Sequence, residues 1–100
     1  MTKEMVKFRQ MLDENGIEWK DASSPVFLPM WRTHFHYRGY EWSVIHGYGS
    51  YGGYSRYAQD EGLLELMSCA VNNGDPVGRL TAEDAMKLVL DGAVTERSRR

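Results

Sequence analysis

Two runs rich in aromatic and β-branched residues, Met30 to Tyr37 and Tyr40 to His46, flank Arg38-Gly39. Two such runs joined by a two-residue loop that ends in glycine predict a tight β-hairpin. The turn sets the register. Tyr37 faces Tyr40, Phe35 faces Trp42, Thr33 faces Val44 and Trp31 faces His46 on one side. On the other, His36 meets Glu41, His34 meets Ser43 and Arg32 meets Ile45. One face is therefore aromatic and the other mostly polar and basic. A slip of one residue would exchange the two faces, so the apolar pattern holds the register.

Two amphipathic helices are available to cover the aromatic face. Over residues 2–15, Met5, Phe8 and Leu12 recur at offsets of three and four and share one side. Lys3, Lys7, Arg9, Asp13 and Glu14 then point mostly to water. Asn15-Gly16 ends this helix, and Ile17 stands where a Schellman-type apolar contact forms. The second helix starts after Thr81, a good N-cap, with Glu83 and Asp84 at its positive end and Leu80 stapled onto Ala85. Its stripe is Ala82, Ala85, Met86 and Val89, and Asp91-Gly92 ends it. Residues 17–21 alternate as a short strand, and Leu63 to Cys69 reads as a buried strand. Ser23-Ser24-Pro25, Pro29 and Asn72-Asn73-Gly74-Asp75-Pro76 break regular structure. The predicted class is α+β: a small antiparallel sheet of three to four strands with an N-terminal and a C-terminal helix, in the order α-β-β-β-β-α. Residues 1–92 form one domain and 93–100 a polar tail.

Of the 100 residues, 12 are Lys or Arg and 14 Asp or Glu, a net charge of −2. That balance gives no global attraction to nucleic acid or anionic membrane. No apolar run approaches the ~20 residues of a membrane span. The first residues lead straight into a charged helical pattern without a signal-peptide apolar region. The lone cysteine, Cys69, forms no internal disulfide and fits a reducing compartment. Its strand context makes it a small buried hydrophobe. The expected location is the cytoplasm.

Residues 47–62 form a long Gly/Tyr-rich connection, a length that is unusual in so small a domain and is commonly functional. Gly47-Tyr48-Gly49-Ser50-Tyr51-Gly52 satisfies G-x-G-x-x-G, but the dinucleotide version needs a helix directly after it, and no amphipathic run follows. Tyr48, Tyr51, Tyr54 and Tyr57 recur every third residue, which in an extended polyproline-like segment places all four on one stripe. With Arg56 they make a candidate partner-binding surface, since tyrosine supplies contact area at low entropy cost. Arg32, His34 and His36 on the polar hairpin face are the second candidate, able to attract a phosphate-bearing ligand. His34 and His36 supply only two metal ligands, with Glu41 the one nearby carboxylate, so no metal is assigned. Trp31, Phe35, Tyr37, Tyr40 and Trp42 read as core; exposed, they would be a base-stacking platform. No nucleophile elbow, nucleophile–base grouping or carboxylate pair marks an enzyme, and no cofactor is implied.

Met11-Leu12-Asp13-Glu14-Asn15-Gly16-Ile17-Glu18-Trp19, the run from Trp42 to Gly53, Gly62-Leu63-Leu64-Glu65-Leu66-Met67 and Leu80-Thr81-Ala82-Glu83-Asp84-Ala85 together resemble small uncharacterised proteins encoded by phages and prophages of gut bacteria. The resemblance spans most of the chain. It implies a phage accessory protein that, in the host-cell cytoplasm, captures a host protein or a nucleotide-type signal and antagonises host defence. The alternative is a nucleic-acid-binding module that stacks bases on exposed aromatics.

Overall fold

The chain runs α1 (Lys3–Glu14), β1 (Trp19–Asp21), β2 (Met30–Tyr37), β3 (Tyr40–Gly47), β4 (Leu64–Met67), β5 (Val77–Leu80) and α2 (Ala82–Ser98). The computed structural model describes residues 1–24 and 26–98, with side chains up to Asp91. Each strand pairs antiparallel with the next, in the order β1-β2-β3-β4-β5. The class is α+β as predicted, with five strands rather than three or four.

The β2–β3 hairpin has the predicted register at every pair from Tyr37–Tyr40 to Trp31–His46. Arg38 and Gly39 both take positive φ, 52° and 82°, as a two-residue turn that follows the strand twist requires. The helices cover the aromatic face. Phe8 of α1 packs on Phe35, ring centroids 5.9 Å apart, and Phe35 lies parallel to Trp42 at 6.1 Å. Met5, Leu12, Val44, Leu64, Leu66, Ala85 and Val89 complete a fully buried layer around them.

The predicted end of α1 and the predicted start of α2 have the expected bonds. The Ile17 N–H donates to Leu12 O at 2.9 Å and the Gly16 N–H to Asp13 O at 3.0 Å, the paired bonds of a Schellman motif. At the start of α2 the Asp84 N–H donates to Thr81 Oγ1 and the Thr81 N–H to Asp84 Oδ2, a reciprocal capping box. Glu4 of α1 also accepts from the Ala82 N–H at 2.7 Å, which ties the two helix starts together.

Four expectations need correction. No strand is expected from the sequence at Val77–Leu80, where β5 forms. A bulge causes this: Leu66 pairs Val77 and Leu64 pairs Leu80, so an extra residue stretches the apolar spacing from two to three, and Arg79 takes φ 56° to absorb it. The backbone of α2 continues past Asp91-Gly92 to Ser98. One glycine inside a helix costs only about 1 kcal/mol, which good helix formers such as Ala93, Glu96 and Arg97 offset. Residues 93–98 of the predicted tail are thus helical, while Arg99 and Arg100 lie outside the described residues. Cys69 lies beyond the end of β4 and is exposed, not buried.

Arg9 is the fourth correction: it is buried rather than solvated. Its Nε donates to Thr33 Oγ1 at 2.7 Å, its Nη2 donates to Asp21 at 3.2 Å and to Arg32 O at 3.1 Å, and its guanidinium lies over the Trp19 ring. These partners are what make a buried guanidinium tolerable.

Candidate functional site

Alternation along the strands assigns the second face of the sheet. Residues one step from the buried set share it: Lys20, His34, Ser43 and Met67 in one cross-strand row, Arg32, Ile45 and Glu65 in the next, and His36 with Glu41 at the hairpin end. Lys20, Arg32, His36, Glu41 and Met67 are exposed and His34, Ser43 and Ile45 half-buried, so this face is open. Arg32, His34 and His36 form the predicted stripe along β2. The His36 Nε2 stands 3.1 Å from Glu41 Oε1, the pairing expected from the register, and His34 stands 4.0 Å from the same oxygen. Among the described residues no group of three or more His, Cys, Asp or Glu is placed to hold a metal ion.

The Gly/Tyr connection is folded, not extended. The Ser50 N–H donates to Gly47 O and the Gly53 N–H to Ser50 O, while the Ser50 hydroxyl closes the turn on Gly47 O at 2.9 Å. The Gly49 N–H then reaches Tyr54 O at 2.7 Å. Tertiary bonds anchor this knot. The Tyr51 N–H donates to Glu65 Oε1 at 2.9 Å, the Arg79 N–H to Tyr51 O, and the Leu63 N–H to Gly52 O. Glu65, otherwise an open-face residue, is buried under the loop for this reason.

The single stripe of four tyrosines is therefore not formed. Tyr48 and Tyr54 pack edge to face at 5.7 Å. Tyr51 lies over Gly78, where a Cβ would meet its side chain at 2.1 Å, yet Tyr51 is still 55% exposed. Tyr57 is 90% exposed and Arg56 exposed. The structure brings Tyr51 and Arg32 onto one face, with Ile45 between the strands that carry Arg32 and Glu65, a span of about 10 Å. His34 and His36 lie progressively farther along β2. Tyr54 turns away, toward the helix-covered side. No helix follows the G-x-G-x-x-G run. Phe35 and Trp42 are buried, so those rings offer no face to a base.

Two features escaped the sequence. Val26, Phe27 and Leu28 are exposed at the tip of the β1–β2 connection, with Phe27 and Leu28 at positive φ. The prolines at 25 and 29 mark a turn there but not its outward apolar surface. The other is the partner of His46, which lies buried on the aromatic face as the register predicts: its Nε2 stands 2.8 Å from Asp60 Oδ1. Burial pushes the Asp60 carboxyl up, but the hydrogen bonds from His46 and the Gly62 N–H outweigh it and hold the group below its ordinary value. Asp21 is lowered as well, first by its hydrogen bonds from Ser23 and further by Arg9.

Both carboxylates bind protons less tightly folded than unfolded. Their contribution to stability is present above the ordinary value of 3.8 and is lost as pH falls through the lowered folded values. The urea midpoint is expected to agree between about pH 7 and pH 5 and to drop near pH 3, with a smaller drop in an Asp21→Asn, Asp60→Asn double variant. An equal drop in the double variant would assign the acid sensitivity elsewhere.

Among the described residues no helix is long and apolar enough to cross a membrane. The chain matches no family model, no curated protein and no solved structure.

Proposed function

We propose that this chain is a small phage-type accessory protein that acts by binding: it captures a host protein and so antagonises host defence. The observation that carries the reading is an aromatic loop whose backbone is pinned while its rings are exposed. Tyr51 presents its side chain from a segment held by hydrogen bonds involving Gly47, Ser50, Glu65 and Leu63, and the more exposed Tyr57 follows on a local turn in which its N–H donates to Ser55 Oγ. Ordering a residue costs about 1–2 kcal/mol, and here the fold has met that cost before any partner arrives. Beside the loop lies a broad open sheet face carrying Arg32, His34 and His36, which suits a protein surface with acidic groups better than an enclosed small molecule.

The test starts from the partner captured from host lysate and uses the purified pair. A Tyr51→Ser, Tyr57→Ser double variant is expected to bind at least about tenfold more weakly, as loss of an aromatic anchor does, with an unchanged melting temperature. Arg32→Glu should weaken the same pair through its charge. A partner whose affinity survives both changes would refute the assignment, and so would a nucleotide co-purifying as the saturating ligand in place of a protein.

A further inference from the structure

The unexplained feature is on the helix-covered side, where the end of the sheet meets the start of α1. A cleft of about 320 Å³ opens there, lined by Met1, Thr2, Pro29, Trp31, His46, Tyr54 and Asp60. That volume is at the small end of ligand sites. Its polar groups have distinct jobs. A carboxylate only accepts, so the His46 Nε2–H donates to Asp60 Oδ1, and the Gly62 N–H donates to the same oxygen at 2.8 Å. The other ring nitrogen, Nδ1, is buried without a hydrogen-bond partner among the described residues. His46 thus has no nitrogen to offer a substrate as a base, and its role is to orient Asp60.

Two donors occupy Oδ1, which leaves Oδ2 as the carboxylate oxygen without a hydrogen bond among the described residues. The group stays ionised and half its surface faces solvent. Two aromatic residues, Trp31 and Tyr54, are half-buried in the same lining. A fixed anionic oxygen in a cleft with aromatic lining is an arrangement that attracts an organic cation. One available oxygen suits the point charge of an ammonium, whereas a guanidinium or a guanine edge calls for two in parallel.

We propose that this cleft is a binding site for a primary ammonium group, with Asp60 as its counter-ion, His46 and the Gly62 N–H as positioning groups, and Trp31 and Tyr54 as its walls. The site stands apart from the open sheet face and holds whether or not that face binds a protein. The ammonium has two natural sources, a partner's lysine side chain and a free alkylamine.

The probe is n-butylammonium chloride, followed by the NMR shifts of the Trp31 indole N–H and the Gly62 amide. Saturable shifts are expected, with none from 1-butanol, which has the same length and no charge, and weaker binding of n-butylguanidinium. Asp60→Asn keeps an acceptor for His46 and Gly62 but removes the charge, and should weaken n-butylammonium binding at least about tenfold. Trp31→Leu keeps the charge, removes a wall, and should also weaken it. Nα-acetyl-lysine methylamide and 1,4-diaminobutane, titrated side by side, tell the two sources apart by which binds more tightly. An equal response to butanol, no saturation, or an Asp60→Asn protein that is folded and titrates like the original would overturn the proposal. If Asp60→Asn does not fold, the Trp31→Leu titration decides in its place, and unchanged affinity there overturns it.

Discussion

Phe35→Ala is expected to lower the free energy of unfolding by about 3–5 kcal/mol, the cost of deleting a large ring from a packed core. Phe35 is 2% exposed and lies between Phe8 of α1 and Trp42 of β3, so its ring is a central apolar contact between the first helix and the hairpin. Neither neighbour can collapse into the space: Trp42 is stacked at 4° and held from its Nε1–H to Tyr37 O, and Phe8 is fixed on a helix tied to α2. A domain of this size has only about 5–15 kcal/mol in total, so the loss is a large share of it. The control is His36→Ala, next along the strand and on the open face, which should shift stability by no more than about 0.5 kcal/mol. Denaturant unfolding of the two variants measures the difference between the faces directly. A Phe35→Ala shift below about 1 kcal/mol would mean that the helix does not rest on this ring.

What could be read from the sequence was decided by local chemistry. The hairpin register followed from Arg38-Gly39 and strict alternation on both sides of it. The end of α1 followed from Asn15-Gly16-Ile17, and the start of α2 from Thr81 and Asp84, because caps bond to groups only a few residues away along the chain. The features that escaped depend on partners far along the chain. Arg9 shares its helix face with Met5 and Leu12 by spacing, yet what admits it to the interior is Asp21 and Thr33, 12 and 24 residues away. His46 was placed on the correct face, but its partner Asp60 lies 14 residues on, inside a stretch with no periodicity. β5 was hidden by its bulge. The tyrosine spacing misled for a related reason: a period of three makes a stripe only in an extended chain, and this chain is folded by bonds to Glu65, Leu63 and Arg79.

Gly53→Ala is the change expected to disturb the loop most. Gly53 does not need positive φ; it needs the room. A Cβ there would fall 2.2 Å from Gly47 O and 2.3 Å from Ser50 Oγ, and the first of these is backbone at the end of β3. Relief requires the turn to open, which breaks the Gly53 N–H bond to Ser50 O and draws Tyr51 off Gly78 and Tyr54 off Tyr48. The expected cost is about 1–3 kcal/mol, as for other overpacked sites, with loss of amide-exchange protection at Ser50, Gly53 and Leu63. Gly49→Ala separates space from conformation. Gly49 takes φ 81° with nothing within 4 Å of a Cβ, so it should cost only the ~1–2 kcal/mol of a left-handed alanine and leave the turn closed. Because the loop supplies Tyr51 to the open face and Tyr54 to the cleft, Gly53→Ala should weaken both the captured partner and n-butylammonium, and Gly49→Ala neither. Suppose instead that Gly53→Ala keeps its slow amides and binds the partner undiminished. The closed turn is then not what positions the tyrosines, and the contact surface reduces to Arg32, His34 and His36 on the sheet.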